Sequence, residues 1–340
     1  MLIEVTPLVI WTDKGLYCTK GQFYIDPHRP VETAIVTHAH SDHARRGSKN
    51  YLCASSGVGL LKARLGQFIQ VQGIPFGQTI QLGQVQVSLH SAGHILGSSQ
   101  VRIQYGSEVW VVSGDYKRER DPSCDPFESV PCQTFITEAT FGTPKYIWNK
   151  TRNHGQDIHQ WWLGNSTFGQ LRNCIVFGYS LGKAQRILAE LAPFAHKPIL
   201  IHESMLELTE CYRQEGRRLA PTCEIEAAIA ASKGKLQGEL IIAPPSILKS
   251  EFLNHLGEFK TAFASGWMQG SDQAHGTHYD HGFVISDHAD WNDLNQTILE
   301  TGAKNIFVLH RGNGALVRHL RKRGLNAHPI ESLMESKENA

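Results

Sequence analysis

The sequence predicts an α/β protein in which the middle of the chain differs in character from both ends. Three observations predict it. The length of 340 residues suggests roughly two domains. The first 140 residues read as short apolar strands broken by Gly, Pro and Asp, over 34–37, 85–89, 100–104, 109–112 and 134–137. The middle then mixes helical patterns over 184–192 and 206–216 with strands over 174–177, 199–202 and 240–243, the alternation of a small α/β unit. Short strands return over 283–286 and 305–309, with a helix over 315–323. The polar tail 335–340 is expected to fray.

Composition narrows the function. No apolar run approaches the roughly 20 residues of a membrane span. The first ten residues lack the basic start and small-residue cleavage site of a signal peptide, so a cytoplasmic location is expected. The seven cysteines are odd in number and show no CxxC spacing; they read as reduced thiols, not as a disulfide frame. The net charge of +1 gives no general support for nucleic-acid binding. It does not oppose a nuclease, because a bound metal pair brings its own positive charge to the point of contact. Histidine is abundant, with 18 copies, and its positions carry the information.

His38, His40, Asp42 and His43 form an HxHxDH run directly after the apolar segment 34–37. A turn leaving a buried strand can aim two imidazoles at one metal and present the carboxylate and third imidazole to another. His94 lies in a Gly/Ser-rich stretch between two strands, Asp115 follows the strand 109–112, and His310 follows the strand 305–309. Zinc takes imidazole and carboxylate ligands at about 2.0–2.2 Å, and catalytic sites keep a position open for water. Asp115 suits a carboxylate bridging two metals. His90 competes with His94 but reads as a core or rim histidine. His275, His278, Asp280 and His281 repeat part of the HxDH pattern. They follow a polar, Gly-rich stretch with no buried strand to fix them, so no metal site is expected there.

These residues carry a resemblance. HAHSDH, His94 in SAGHILGSS and Asp115 in SGDY resemble the metallo-β-lactamase fold. Glu138 in TEATFG, His288 in ISDHADW and His310 in FVLHRG resemble motifs A, B and C of its β-CASP nuclease branch. The resemblance implies an αββα sandwich over 1–145 and 265–340, with an inserted α/β β-CASP domain over 146–264. Longer phrases from about residue 15 to about residue 321 are similar to the bacterial ligase-associated DNA exonucleases, relatives of Artemis; they include VWVVSGDYKRERDPSCDPFE and YSLGKAQRIL. Two features depart from the pattern. Histidine at motif C is the residue of RNA-processing members, where the eukaryotic DNA branch has valine. Also, LHRGNG replaces the more usual THGY, so Arg311 is either a phosphate contact or a solvated charge.

The resemblance implies two zinc ions, with manganese or magnesium an alternative in the second position. His38, His40, His94 and Asp115 would hold one, and Asp42, His43, Asp115 and His310 the other. Asp42 counts among the catalytic groups, with His288 as the acid for the leaving 3′-oxygen and Glu138 as its orienting carboxylate. The turn 178–185 would offer Ser180, Gly182 and Lys183 to a phosphate, with Lys117 a further contact and Arg118, Lys145 and Arg152 able to track a backbone. Trp148, Trp161, Trp162 and Trp267 could stack bases. The implied activity is 5′-to-3′ removal of nucleotides from 5′-phosphorylated single-stranded DNA in repair, linked to an ATP-dependent DNA ligase and a helicase. An RNA-processing β-CASP ribonuclease is the alternative. A small-molecule metallohydrolase is disfavoured by the inserted domain and the Glu138/His288 pair, and a silent scaffold by the complete ligand set.

Overall fold

The computed structural model describes residues 7–165, 171–249, 251–271, 273–274, 277–309 and 314–334. The chain divides into two compact units, one of Met1–Arg120, Cys124–Ile147 and His288–Ala340, the other of Asp121–Ser123 and Trp148–Asp287. Both are mixed α/β.

The first unit opens with β1 (Val9–Thr12), β2 (Gly15–Cys18), β3 (Phe23–Ile25), β4 (Thr33–Ile35), β5 (Asn50–Ala54) and β6 (Val71–Ile74), a six-stranded sheet in that order. Helix α1 (Val58–Leu65) lies between the last two strands. A second sheet begins with β7 (Thr79–Leu82), β8 (Val85–Ser91), β9 (Ser99–Tyr105), β10 (Glu108–Val112) and β11 (Thr134–Thr137). Period-two alternation is plainest in β8, where Val85, Val87 and Leu89 are buried and Gln86 is exposed. These side chains share one core with Phe23, Ile25, Ile35 and Leu52 of the first sheet, so the two sheets pack face to face.

The second unit starts with α2 (His154–Gly164) and carries a parallel sheet of β12 (Asn173–Phe177), β13 (Ile199–Ile201), β14 (Thr222–Glu224), β15 (Leu240–Ala243) and β16 (Phe259–Ala264). Helices α3 (Lys183–Leu191), α4 (Leu206–Gln214) and α5 (Ile225–Ala231) fall between these strands. A two-stranded ribbon, β17 (Gln273–Ala274) with β18 (Thr277–His278), precedes β19 (His281–Phe283). The sheet order is β14-β13-β15-β12-β16-β19, with every pair parallel. Residues of β12 and β15 are buried on both faces, as a sheet covered on both sides requires. The unit runs on to Asp287 and not to 264 as expected, because β19 pairs with β16 and completes the same sheet.

The chain then returns to the first unit through α6 (Trp291–Thr301), β20 (Asn305–Val308), α7 (Ala315–Lys322) and β21 (Asn326–Pro329). β20 and β21 finish the second sheet, in the order β21-β20-β11-β10-β9-β8-β7. Leu294 and Ile298 of α6 and Leu316, Val317 and Leu320 of α7 cover its other face, against Val109, Val111, Phe135 and Ile306. β10, β11, β20 and β21 are parallel, so their carboxyl ends share one edge. That edge is where the expected site residues begin. No helix among the described residues is long and apolar enough to cross a membrane.

Candidate metal centre

Strand ends build the site. β4 delivers the loop 38–43, β10 delivers Asp115, and β11 delivers Glu138. His94 sits in the turn between β8 and β9, where the Ser98 hydroxyl accepts from its main-chain N–H at 3.0 Å. Two glycines make the approach possible. Gly93 has φ +69°, and a Cβ there would meet the Lys117 carbonyl at 2.3 Å. Gly114 has φ +57°, and a Cβ there would meet Thr37 at 2.8 Å. Each is in the left-handed region that favours glycine, and each immediately precedes a candidate ligand.

His38, His40, His94 and Asp115 bring one ligand atom each to within 4.8 Å of one another. Nδ1 of His40 lies 3.1 Å from Nε2 of His38 and 3.0 Å from Nε2 of His94. Oδ2 of Asp115 lies 3.6 Å from Nε2 of His38 and 3.9 Å from that of His94. Tetrahedral bonds of about 2.0–2.1 Å put neighbouring ligand atoms about 3.3 Å apart, so this spacing fits a metal without large movement. A second sign points the same way. Oδ1 of Asp115 is buried and has no hydrogen-bond partner among the described residues, which is costly for a carboxylate unless a cation completes it.

His43 approaches the same Asp115 oxygen, with its ring centroid 4.0 Å from that of His38, and Asp42 stands next to it. Nε2 of His43 is 3.5 Å from Oδ2 of Asp115 and 3.6 Å from Oδ2 of Asp42. Asp42 is largely exposed, at 66%. His310, the expected fourth member of this set, lies outside the described residues, as do Arg311 and His275. β20 ends at Val308, and the Leu309 N–H still donates to the Thr137 carbonyl at 2.8 Å.

Protein charge alone separates these groups. Burial of His38, with the neighbouring His43 and His94 imidazoles, pushes its pKa well below the ordinary histidine range; Asp115 opposes but does not win. A neutral imidazole is the form that binds metal. Burial also disfavours charge on His43, but Asp115 and Asp26 outweigh it and raise its pKa well above that range. Burial would raise Asp115; His43 and His288 overcome it and hold the carboxylate ionised.

Asp26 was not legible as part of the site. Its Oδ2 accepts from His43 Nδ1 at 2.7 Å and from the Thr37 hydroxyl at 2.6 Å, while Oδ1 accepts from the Thr37 N–H at 2.7 Å. It thereby fixes the ring that faces Asp42 and Asp115. Its φ of +45° lies in the left-handed region, which aspartate tolerates better than most non-glycine residues. A carboxylate behind a metal-ligating histidine typically sets affinity by 10–100-fold. Asp26→Ala is therefore expected to weaken metal retention by about that factor in chelator competition. Unchanged affinity would show that Asp26 serves the fold alone.

Glu138 and His288 form a second group with Asp115. Nδ1 of His288 lies 2.9 Å from Oε2 and 3.1 Å from Oε1 of Glu138. Glu138 is buried at 1% exposure, and its Oε1 also accepts from the Tyr116 N–H at 2.7 Å. The Tyr116 carbonyl in turn accepts from the Ala289 N–H at 2.7 Å. One residue next to Asp115, Tyr116, thus holds both the carboxylate and the backbone beside the histidine. His288 remains 22% exposed, and its ring centroid is 4.7 Å from that of His94.

The expected phosphate contacts are placed differently. Lys183 is buried, donates to the Ile285 carbonyl at 2.6 Å and pairs with Asp287 at 2.9 Å. Lys117 is buried, with Nζ 3.4 Å from the His94 carbonyl. An ammonium taken inside needs such partners, and it is then not offered to a phosphate on the surface. Ser180 keeps partial exposure and shares a hydrogen bond with Ser204 at 2.9 Å; Gly182 is buried as the cap of α3. Arg118 binds Glu300 through two nitrogens, Arg152 pairs with Asp157, and Lys145 sits over the Tyr146 ring. Trp148 and Trp162 are buried and Trp161 is half-buried, which leaves Trp267, at 41%, the exposed member of the four. His90 is a rim residue between Ser88 and Glu128. Asp280 is occupied by Lys260 and Thr261, a structural turn.

No family model matches the chain. It is 32% identical over 318 residues to a probable DNA ligase of Opitutus terrae, across 93% of this chain and 30% of the ligase. It is 28% identical over 123 residues to endoribonuclease YSH1 of Yarrowia lipolytica, across 36% of this chain and 14% of that protein. It is 26% identical over 203 residues to ribonuclease TTHA0252 of Thermus thermophilus, across 52% of this chain and 46% of that enzyme. The chain therefore spans less than half the length of each of these relatives. A crystal structure of a protein of unknown function from Enterococcus faecalis superposes with a TM-score of 0.54 at 14% identity, over 87% of this chain and 78% of the other; it shares the fold. Together, the names of these relatives and the His/Asp cluster suggest a nuclease family of the metallo-β-lactamase/β-CASP type.

Proposed function

We propose that the chain is a two-zinc DNA exonuclease that works inward from a 5′-phosphorylated single-stranded end. The observation that carries the phosphodiesterase reading is the pair of buried Glu138 and partly exposed His288, at 2.9 Å, beside the His38/His40/His94/Asp115 cluster. Such an arrangement sets a proton donor next to a site for positive charge, which is what an in-line displacement at phosphorus needs. His38, His40, His94 and Asp115 would hold one zinc; Asp42, His43, Asp115 and His310 would hold the other, where manganese or magnesium could substitute. When bound, the pair supplies a water of lowered pKa and charge for the phosphate oxygens.

The protein supplies the rest. With His288 in its imidazolium form, Glu138 accepts the Nδ1–H and holds the ring, and Nε2 gives its proton to the departing 3′-oxygen, leaving a neutral ring protonated on Nδ1. The products are a 5′-phosphate and a 3′-hydroxyl. Those are the ends a DNA ligase joins, and the similarity of nearly the whole chain to part of a probable DNA ligase supports DNA as substrate and a ligase as partner. Ser180 is the contact we assign to the terminal phosphate. The RNA reading is favoured by two observations: relatives named as ribonucleases, and histidine at position 310.

The test compares end-labelled DNA and RNA of one sequence, with 5′-phosphate or 5′-hydroxyl ends, on the zinc-loaded protein. DNA with a 5′-phosphate should be degraded fastest, because a charge-assisted contact outweighs a neutral one. Faster cutting of RNA would transfer the assignment to the ribonuclease. Cutting of a circular single strand would make it an endonuclease, and equal rates on both ends would remove the phosphate contact.

A further inference from the structure

The sheet of the second unit has a feature that the metal site does not use. β12 and β16 are neighbours whose pairing ends at Phe177 and Phe263. Beyond that point the two chains part. The Gly178 N–H turns to the Ala243 carbonyl of β15 at 3.0 Å, and the Ser265 N–H turns to the Phe283 carbonyl of β19 at 3.0 Å. The connections then leave on opposite faces. The turn after β12 leads into α3, whose Ala184, Ile187 and Leu188 pack on the face of Cys174 and Val176. The turn after β16 places Met268 on the face of Ile175 and Phe177. Adjacent parallel strands whose connections diverge in this way leave a crevice at their carboxyl ends, the place where open α/β sheets bind ligands.

An aromatic ring stands on each lip. Tyr179 is 48% exposed and Trp267 is 41% exposed. The other exposed large apolar side chains described in this unit, Leu163 and Leu171, are aliphatic; they lie at the end of α2 and just before β12. Each turn is tied by a hydrogen bond and a buried neighbour. The Tyr179 carbonyl accepts from the Ala184 N–H at 3.2 Å, and Leu181 beside it is buried. The Trp267 N–H is capped by the Ser265 hydroxyl at 3.3 Å, and Met268 beside it is buried. Fixed rings with an open face lose little entropy on stacking, and every nucleobase has a π-face to offer.

We propose that Tyr179 and Trp267 form a base-stacking crevice that holds unpaired bases of a single-stranded nucleic acid. This rests on the nuclease reading and adds to it a substrate-binding element on the second unit. Stacking involves no phosphate, so the contribution of the crevice is independent of salt and of base identity.

The test measures binding of a labelled phosphorothioate oligothymidylate, which resists cleavage, to the zinc-loaded protein and to Tyr179→Ala and Trp267→Ala variants. Each variant should bind roughly fivefold to a hundredfold more weakly, the range of one base stack. The ratio to wild type should hold between ~50 and ~200 mM salt. On an abasic strand of the same length the ratio should collapse to one. Trp267→Phe, which keeps a ring, should recover most of the affinity and guards against a misfolded alanine variant. Wild-type binding by both alanine variants, or an equal loss on the abasic strand, would overturn the crevice. Hydrolysis of bis(4-nitrophenyl) phosphate tests the nuclease reading separately. Its absence from the wild type would sink the nuclease reading itself.

Discussion

Asp115→Ala is expected to remove metal and activity together. Among the described residues, the carboxylate lies within 4 Å of Nε2 of His38, His43 and His94 at once. Without it, a cation entering among these imidazoles would lose the carboxylate that all three approach. Wild-type protein should carry about two zincs per chain, as a two-metal phosphodiesterase requires. The alanine variant should carry close to none, with phosphodiester turnover at background. Metal analysis by mass spectrometry and cleavage of a labelled strand read the two outcomes from one preparation. Asp115→Asn keeps the shape but not the charge, so it should retain some metal at the His38/His40/His94 position and still fail in turnover. If the wild type holds a single tightly bound ion and is fully active, the second set of ligands, including His310, is wrongly assigned.

Asp115 was legible as a candidate ligand because it follows a strongly apolar strand. Val109–Val112 and Phe135–Ile136 are buried without exception, and such runs can hardly be anything but central strands. What stands just past them is fixed in direction, so Asp115 could be read from its position, whereas Glu138 was singled out only by the resemblance to motif A. Asp26 could not be read in either way. It follows β3, a strand of only three residues, and it reaches His43 across 17 positions of sequence. Nothing in local pattern announces that distance. The helix α6 was also missed, because its buried face rests on few apolar residues, chiefly Leu294 and Ile298. Its start did carry a signal: Asp290 caps it by accepting from the Asp293 N–H. Lys183 misled for a different reason. A lysine at the mouth of a turn reads as a phosphate contact, yet whether it faces out or in depends on Asp287, a hundred residues on. The expected strand over 283–286 stops at Phe283 for a related reason, since the Ile285 and Ser286 carbonyls accept from Lys183 and Arg186 instead of from a neighbouring strand.

Removal of His288 is expected to cost turnover without costing metal. The ring is not in the cluster of His38, His40, His94 and Asp115, and its Nδ1 belongs to Glu138. His288→Ala should lower kcat by roughly 10²–10⁴-fold, the usual worth of a positioned general acid. Glu138→Ala should fall in the same range, since the ring then loses both its orientation and the negative charge that favours its protonated form. The decisive measurement is the double variant. Groups that share one task lose little more together than apart. It should be about as slow as the worse single variant, with zinc content near wild type. A leaving group that needs no proton supplies an independent check. On a 4-nitrophenyl phosphodiester the penalty for His288→Ala should shrink towards unity, because 4-nitrophenolate departs unaided. A full penalty on that ester would mean that His288 does not act as the acid. Fully additive losses in the double variant would mean that Glu138, buried and bonded to the Tyr116 N–H, acts separately by holding the loop beside Asp115.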